Sequence, residues 1–281
     1  QRKGELMNFE FSSDQMLLKD QARKFLENEE SVKKAREVLE GDQTHDESLW
    51  RSVVEMGWTA TTIPEEFDGL GLGYLELCVI AEELGRSLAP TPFSSSVYLA
   101  TEALINQGSK EQHQKYLSKL AAGEIVGTLA HTETTNSPSP ENLNCELNNN
   151  KLNGIKIAVT DGDVANFAVV SAKEGDKVVL VLVDLSAKGV EITSQNTLDP
   201  SRSHASIKFK DADAEILGSS QDGWAALQEI LDRAAVLFAF EQLGGAEACM
   251  DMAKEYAMGR FAFGRPIASF QAIKHKIADM Y

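Results

Sequence analysis

The stretch MGRFAFGRPIASFQAIKH, Met258 to His275, interrupts what would otherwise be one long helical pattern. A helix-to-helix turn needs only Gly or Pro and a few polar residues. This one gathers Arg260, Phe263, Arg265 and Gln271 into a short span, cationic, aromatic and amide groups suited to a phosphorylated aromatic ligand. Upstream, DGWAALQEILDRAAVLFAFEQLGGAEACMDMAKEYAMGR runs from Asp222 to Arg260 without a proline, enough for a helix of ~57 Å at 1.5 Å per residue. Helices of that length usually belong to a bundle. Downstream, SFQAIKHKIADMY begins another helix that reaches Tyr281. Two helices do not close a bundle core, so the natural protein is expected to continue or other subunits to complete it.

Working back toward the N-terminus, the period changes to two between about Ile125 and Leu217. KLNGIKIAVTDG, NFAVVSA, KVVLVLVDL, GVEITSQ and HASIKFKDA are short Val- and Ile-rich runs, the pattern of strands. LNNNKLNG and KEGDK supply hairpin turns. Several short strands in so few residues predict a compact barrel or sandwich. From Asn8 to about Gly123 the pattern is helical again. SSDQMLLKDQARKFLENEE opens with a Ser or Asp cap and carries an apolar stripe at Met16, Leu17, Ala22, Phe25 and Leu26. DESLWRSVVEMGW, YLELCVIAEELGRSLAP, SSVYLATEALINQG and SKEQHQKYLSKLAAGE follow, with Gly85 and Gly108 read as helix C-caps. The fold class is therefore α+β: a helical domain over 1–124, a small β domain over 125–217, and a long-helix segment over 218–281.

Forty-three Asp and Glu against 27 Lys and Arg give a net charge of −16, which argues against wholesale binding to nucleic acid or an anionic membrane. Cys78, Cys145 and Cys249 are an odd number without metal-site spacing, so a reduced cytoplasm and buried thiols are expected, with neither a disulfide framework nor zinc. No apolar run reaches membrane-spanning length and no signal-peptide pattern opens the chain. QRKGEL, ahead of Met7, is read as an appended or read-through segment.

The order helices, β domain, long helices resembles the acyl-CoA dehydrogenase family, and local motifs carry the resemblance further. GWTATTIPEEFDGLGLG (57–73) looks like that family's first-domain loop and AEELGRSLAPTPF (81–93) like the helix after it. HTE (131–133) stands where the first flavin loop lies, NGIKIAVTDG (153–162) resembles the second flavin-contacting strand, and RFAFGRPIASFQAIKHKIADM (260–280) is similar to the family's most recognisable segment. The resemblance implies FAD as cofactor, with Thr132 and Thr160 hydrogen-bonding the flavin ring. Arg260 would then meet the diphosphate, Phe263 the adenine or ribityl part, and Gln271 the same region, all on FAD held mainly by a neighbouring subunit. Forked guanidinium donors suit phosphate oxygens. Two features depart from the pattern. Ala158 takes the place of a tryptophan common in the family, and the glycine-rich turn after the first motif is replaced by TTNSPSPENLN.

The family reaction takes the α-proton of an acyl-CoA thioester onto a carboxylate in a dry pocket and passes hydride to FAD. In some members the base sits at the position of Ala234, and in others beyond residue 281. Glu241, seven residues on and preceded by AAVLFAF, is the substitute this helix offers. A buried carboxylate usually has a partner or a task. Arg202, in DPSR (199–202), is a candidate for a CoA phosphate or an interface carboxylate. His131 and His204 show no partner pattern. The resemblance implies dehydrogenation to a trans-2-enoyl-CoA, electron-transfer flavoprotein as electron acceptor and a homo- or hetero-tetramer. The main alternative is a non-catalytic or half-site chain in an α2β2 assembly, and a more distant one a flavin-free helical scaffold.

Overall fold

The computed structural model describes residues 10–219 and 222–281, so the Asn8 start and the QRKGEL segment lie outside the described residues. The N-terminal third is helical: α1 (Ser13–Asn28), α2 (Ser31–Glu40), α3 (Glu47–Glu55), α4 (Tyr74–Arg86), α5 (Glu102–Gln107) and α6 (Lys110–Ala121). A fully buried π-helical stretch, Ser94–Thr101, leads into α5. Ser12 caps α1 reciprocally with Gln15, each backbone N–H donating to the other's side chain at 2.9 and 3.2 Å. In α1 the buried face is Ala22 and Leu26, whereas Met16 and Leu17, expected on that stripe, are 45% and 57% exposed.

Gly85 is not the C-cap expected of it: α4 continues to Arg86. A Cβ at Gly85 would lie 2.0 Å from the carbonyl oxygen of Glu241, and one at Gly244 would lie 1.8 Å from that of Glu82. Both glycines are there to let two helix backbones touch. Gly108 does sit at the end of α5, as expected.

The middle third is one eight-stranded sheet, ordered β6-β7-β3-β2-β4-β5-β8 with β1 paired in parallel to β4. Its strands are β1 (Gly127–Ala130), β2 (Glu146–Asn148), β3 (Lys151–Thr160), β4 (Phe167–Glu174), β5 (Lys177–Asp184), β6 (Val190–Ser194), β7 (His204–Asp213) and β8 (Glu215–Ile216). The sheet curls around a core of its own, which includes Ala168, Val170, Val181 and Val183. The opposite faces of the same strands, Phe167, Val169, Leu180 and Leu182, join the core of the helical domain. Burial on both faces explains why FAVVSA and VVLVLV read as continuous apolar runs. Asn149 and Asn150, both with positive φ, make the tight turn between β2 and β3.

The last third is α7 (Gly223–Gly259), 37 residues without a break, capped by the Asp222 carboxylate on the N–H of Ala225. A hairpin follows, β9 (Phe261–Ala262) against β10 (Arg265–Pro266), and then α8 (Gln271–Met280). Among the described residues, no helix is long and apolar enough to cross a membrane. Cys78 and Cys145 are buried thiols as expected, but Cys249 is exposed.

Candidate functional site

Two groups of candidate residues gather where β3 ends and β7 begins. Thr160 ends β3 directly opposite His204, which begins β7. Its carbonyl accepts from the Thr128 hydroxyl at 2.6 Å, and its own hydroxyl lies 3.4 Å from His204 Nε2. Two residues earlier a bulge puts Ala158 at φ 51°, exposed, with its N–H donating to Gln195 Oε1 at 2.8 Å. Thr132 is joined to the same strand, since its carbonyl accepts from Ile157 N–H at 2.8 Å. Thr132 and Thr160 therefore both sit by the C-terminal end of β3 with half-buried side chains.

Beneath Thr132 lies an ion pair the sequence reading missed. Lys156 is fully buried and donates to Glu133 Oε1 at 2.8 Å and to Ser171 Oγ at 3.1 Å. Glu133 also accepts from the backbone N–H groups of Asn144 (2.6 Å) and Cys145 (3.0 Å), clasping both ends of the glycine-free loop 134–144. Burial pushes the Lys156 ammonium below the usual lysine range. It works the other way on Glu133, but Lys156 and the two N–H donors outweigh it and hold that carboxyl low. The available signal was a lysine on the inward-facing side of an alternating strand, where Leu152 sits as well. Nearby, His131 Nδ1 is buried and has no hydrogen-bond partner, and burial lowers that imidazole's basicity.

Glu241 and Arg202, assigned separate roles from sequence, meet each other. Arg202 Nη2 donates to Glu241 Oε2 at 2.5 Å and Nη1 donates to Ser94 Oγ at 3.2 Å. The carboxylate that Arg202 finds is thus one of its own chain. Burial alone would lower the Arg202 pKa, but Glu241 more than reverses it. The wholly buried Tyr98 hydroxyl stands beside Glu241 without a well-formed hydrogen bond, and burial first, then Glu241, holds it far above the usual phenol range. Asp161, 1% exposed at φ 53°, accepts from Ser95 Oγ at 2.6 Å and Ser203 Oγ at 3.4 Å, and burial lifts its carboxyl to about 6. This junction joins the π-helical stretch, the sheet and α7.

Arg260, Phe263 and Gln271 stand elsewhere. Arg260 caps the C-terminus of α7, nineteen residues beyond Glu241, or ~28 Å along the axis. Arg260 is therefore well removed along α7 from Glu241 and from the Arg202 that meets it. Phe263 is 95% exposed with φ 55°, ahead of Gly264 at φ 77°. Arg265 lies over the Phe270 ring at 4.1 Å. Residues 260–276 contain Arg260, Arg265, Lys274 and Lys276 and no carboxylate, in a chain of net charge −16. The donor set fits FAD in two parts: hydroxyls by the end of β3 for the ring, and a cationic turn with an exposed aromatic for the diphosphate and adenosine.

The N-terminal domain model of the acyl-CoA dehydrogenases matches residues 12–124, and their C-terminal domain model matches 221–281. The chain is 32% identical to the mitochondrial isovaleryl-CoA dehydrogenase of Solanum tuberosum, over 84% of this chain and 61% of that protein. It is also 32% identical to the acyl-CoA dehydrogenase IpdE2 of Mycolicibacterium smegmatis, over 96% of this chain and 73% of that one. These shares also mean that the chain spans only 61% to 73% of the length of the two curated relatives. Among solved structures, it superposes on a chain of the ChsE4-ChsE5 complex from Mycobacterium tuberculosis with a TM-score of 0.85 and 26% identity, covering 97% of this chain and 74% of that one.

Proposed function

The chain belongs to the acyl-CoA dehydrogenase family, and from that premise we propose that it is an FAD-binding subunit in the conversion of an acyl-CoA thioester to a trans-2-enoyl-CoA, with electron-transfer flavoprotein taking the electrons onward. The single observation that carries the reading is the hairpin at the end of α7. There a phenylalanine is nearly fully exposed in a left-handed backbone conformation within a cationic, carboxylate-free turn. Type I′ turns ordinarily take Asn, Asp or Gly at both centres. The Phe263 ring meets Phe270 near-perpendicularly at 6.3 Å between centroids, a contact that leaves it almost wholly exposed, and a ligand or a second subunit would account for the strained backbone.

FAD, when bound, supplies the hydride acceptor for the β-carbon. The chain's own residues do the rest. Thr132 and Thr160 fix the ring by hydrogen bonds by the end of β3, where preset dipoles need no reorganisation as charge develops. Arg260, Phe263 and Gln271, presented to a neighbouring copy or partner chain, hold the diphosphate and the adenine or ribityl end. Glu241 is the carboxylate this helix offers for the α-proton. To act, it must share or leave its contact with Arg202, because a base needs a free lone pair facing the proton it takes.

That same contact favours a second reading, in which the chain is the half-site member of a heteromeric dehydrogenase. Ala234 has no ionisable group, and Glu241 is already answered by Arg202. The ChsE4-ChsE5 complex among the structural neighbours has two unlike chains. A visible spectrum of the protein purified alone, followed by anaerobic addition of an acyl-CoA panel, separates the readings. A flavin spectrum that bleaches, and no longer bleaches in Glu241→Gln with flavin retained, supports the self-sufficient enzyme. A colourless protein that turns yellow only with a partner chain supports the half-site reading. A protein colourless under every pairing overturns both.

A further inference from the structure

We propose that His204 is a positioning residue that fixes the direction of the Thr160 hydroxyl bond, and through it the balance between oxidised and reduced flavin; this rests on the flavin-binding reading above. Thr160 and His204 face each other across β3 and β7, and directly opposite residues project to the same side of a sheet. One end of the imidazole is tied down, because His204 Nδ1 lies 3.1 Å from the carbonyl oxygen of Arg202. A carbonyl oxygen only accepts, so Nδ1 carries the hydrogen. In the neutral ring Nε2 is then an acceptor. Nε2 lies 3.4 Å from Thr160 Oγ1, so the threonine hydroxyl donates its one hydrogen to His204.

The consequence is chemical. A hydroxyl whose hydrogen is committed can only accept from a ligand. The hydride-accepting nitrogen of a flavin carries an N–H when reduced and a lone pair when oxidised. With Thr160 facing that nitrogen, as the proposal requires, a hydroxyl held in this direction complements the reduced form and offers nothing to the oxidised one. A freely rotating hydroxyl would serve both equally. Other charged groups near this pair include Asp161, whose carboxyl accepts from Ser95 and Ser203, Arg202, whose guanidinium is occupied by Glu241, and Asp199, whose carboxyl is capped by Ser201. None of these contacts supplies a competing partner for Thr160 Oγ1.

The test measures FAD affinity by fluorescence titration and the midpoint potential of the bound flavin, using the chain together with whatever partner it needs. His204→Leu should lower the ratio of reduced- to oxidised-flavin affinity about tenfold, which for a two-electron couple is a fall of ~30 mV in potential. His204→Gln, which places an amide oxygen near the position of Nε2, should recover the wild-type ratio within about twofold. In a Thr160→Val background, His204→Leu should have no further effect. An unchanged potential in His204→Leu, or the same shift with Thr160 already removed, overturns the role of His204 and leaves flavin binding standing. No FAD binding by the wild type under any pairing overturns both. Nitrogen-15 NMR of the flavin-free protein gives an independent check: the hydrogen is expected on Nδ1, and finding it on Nε2 sinks the proposal.

Discussion

The buried junction and the C-terminal hairpin hold comparable numbers of charged groups and treat them in opposite ways. At the junction every ion has an answer within the chain. Glu241 meets Arg202, Arg202 also meets Ser94, and Asp161 meets Ser95 and Ser203. At the hairpin Arg260, Phe263 and Gln271 point outward, and no carboxylate lies between residues 260 and 276. The same chain thus satisfies itself where three segments meet and leaves one end unanswered. A region of the first kind sets stability and geometry, and one of the second kind, on the function proposed above, binds a ligand. Substitutions should separate the two.

The largest effect is expected from Arg202→Leu, which strands the Glu241 carboxylate in a site where its side chain is only 9% exposed. Removing one partner of a buried pair typically costs ~3–5 kcal/mol. A double variant, Arg202→Leu with Glu241→Leu, should recover most of that in urea denaturation. If the single variant unfolds at the wild-type midpoint, the pair is not a structural tie and Glu241 is freer than the geometry suggests. Next is Gly85→Ala. Its added Cβ would meet the Glu241 backbone at 2.0 Å, with no flexible side chain to give way. A cost of about 3 kcal/mol is expected, with the Glu241–Arg202 contact disturbed as a consequence.

How far sequence alone could see follows from these same residues. The long helix was legible because thirty-seven residues of unbroken helical pattern admit little else, and the strands because alternation and asparagine turns are local signals. Glycine at position 85 misled, since a glycine near a helix end looks the same whether it caps the helix or makes room for a neighbour. Only the packed partner distinguishes the two. Glu241 and Arg202 were each singled out, but their union spans 39 positions and depends on how the sheet docks on α7. Lys156 was overlooked because its partner, Glu133, is 23 residues away in a motif read for its threonine. Thr160 and His204 were both named, and only strand register put them face to face.

A smaller effect tests whether the junction is wholly satisfied. Burial lifts the Asp161 carboxyl to about 6, whereas an unfolded aspartate titrates near ~3.9. The folded chain therefore holds this proton more tightly than the unfolded one. Its contribution is fully present below about pH 4 and is lost as the pH rises through about 6. Asp161→Asn mimics the protonated state, so it should match the wild type at pH 4 and exceed it by ~2 kcal/mol at pH 8. Paired urea midpoints at the two pH values check this. A difference that does not change with pH would mean the carboxyl is better solvated than its burial implies.

Arg260→Ala should barely move stability, within ~0.5 kcal/mol, as is usual for an exposed side chain away from packing. Its effect belongs to the ligand. A charged hydrogen bond is worth ~1.5–3 kcal/mol, so FAD affinity in the competent assembly should fall roughly ten- to a hundredfold. The same substitution at Lys177, an exposed cation at the start of β5, should leave affinity unchanged. Equal losses at both positions would reduce the hairpin to diffuse electrostatics, and the contrast with the junction would no longer be one of purpose. A loss confined to Arg260, at unchanged stability, would make the hairpin a specific binding element and keep the contrast with the junction one of purpose.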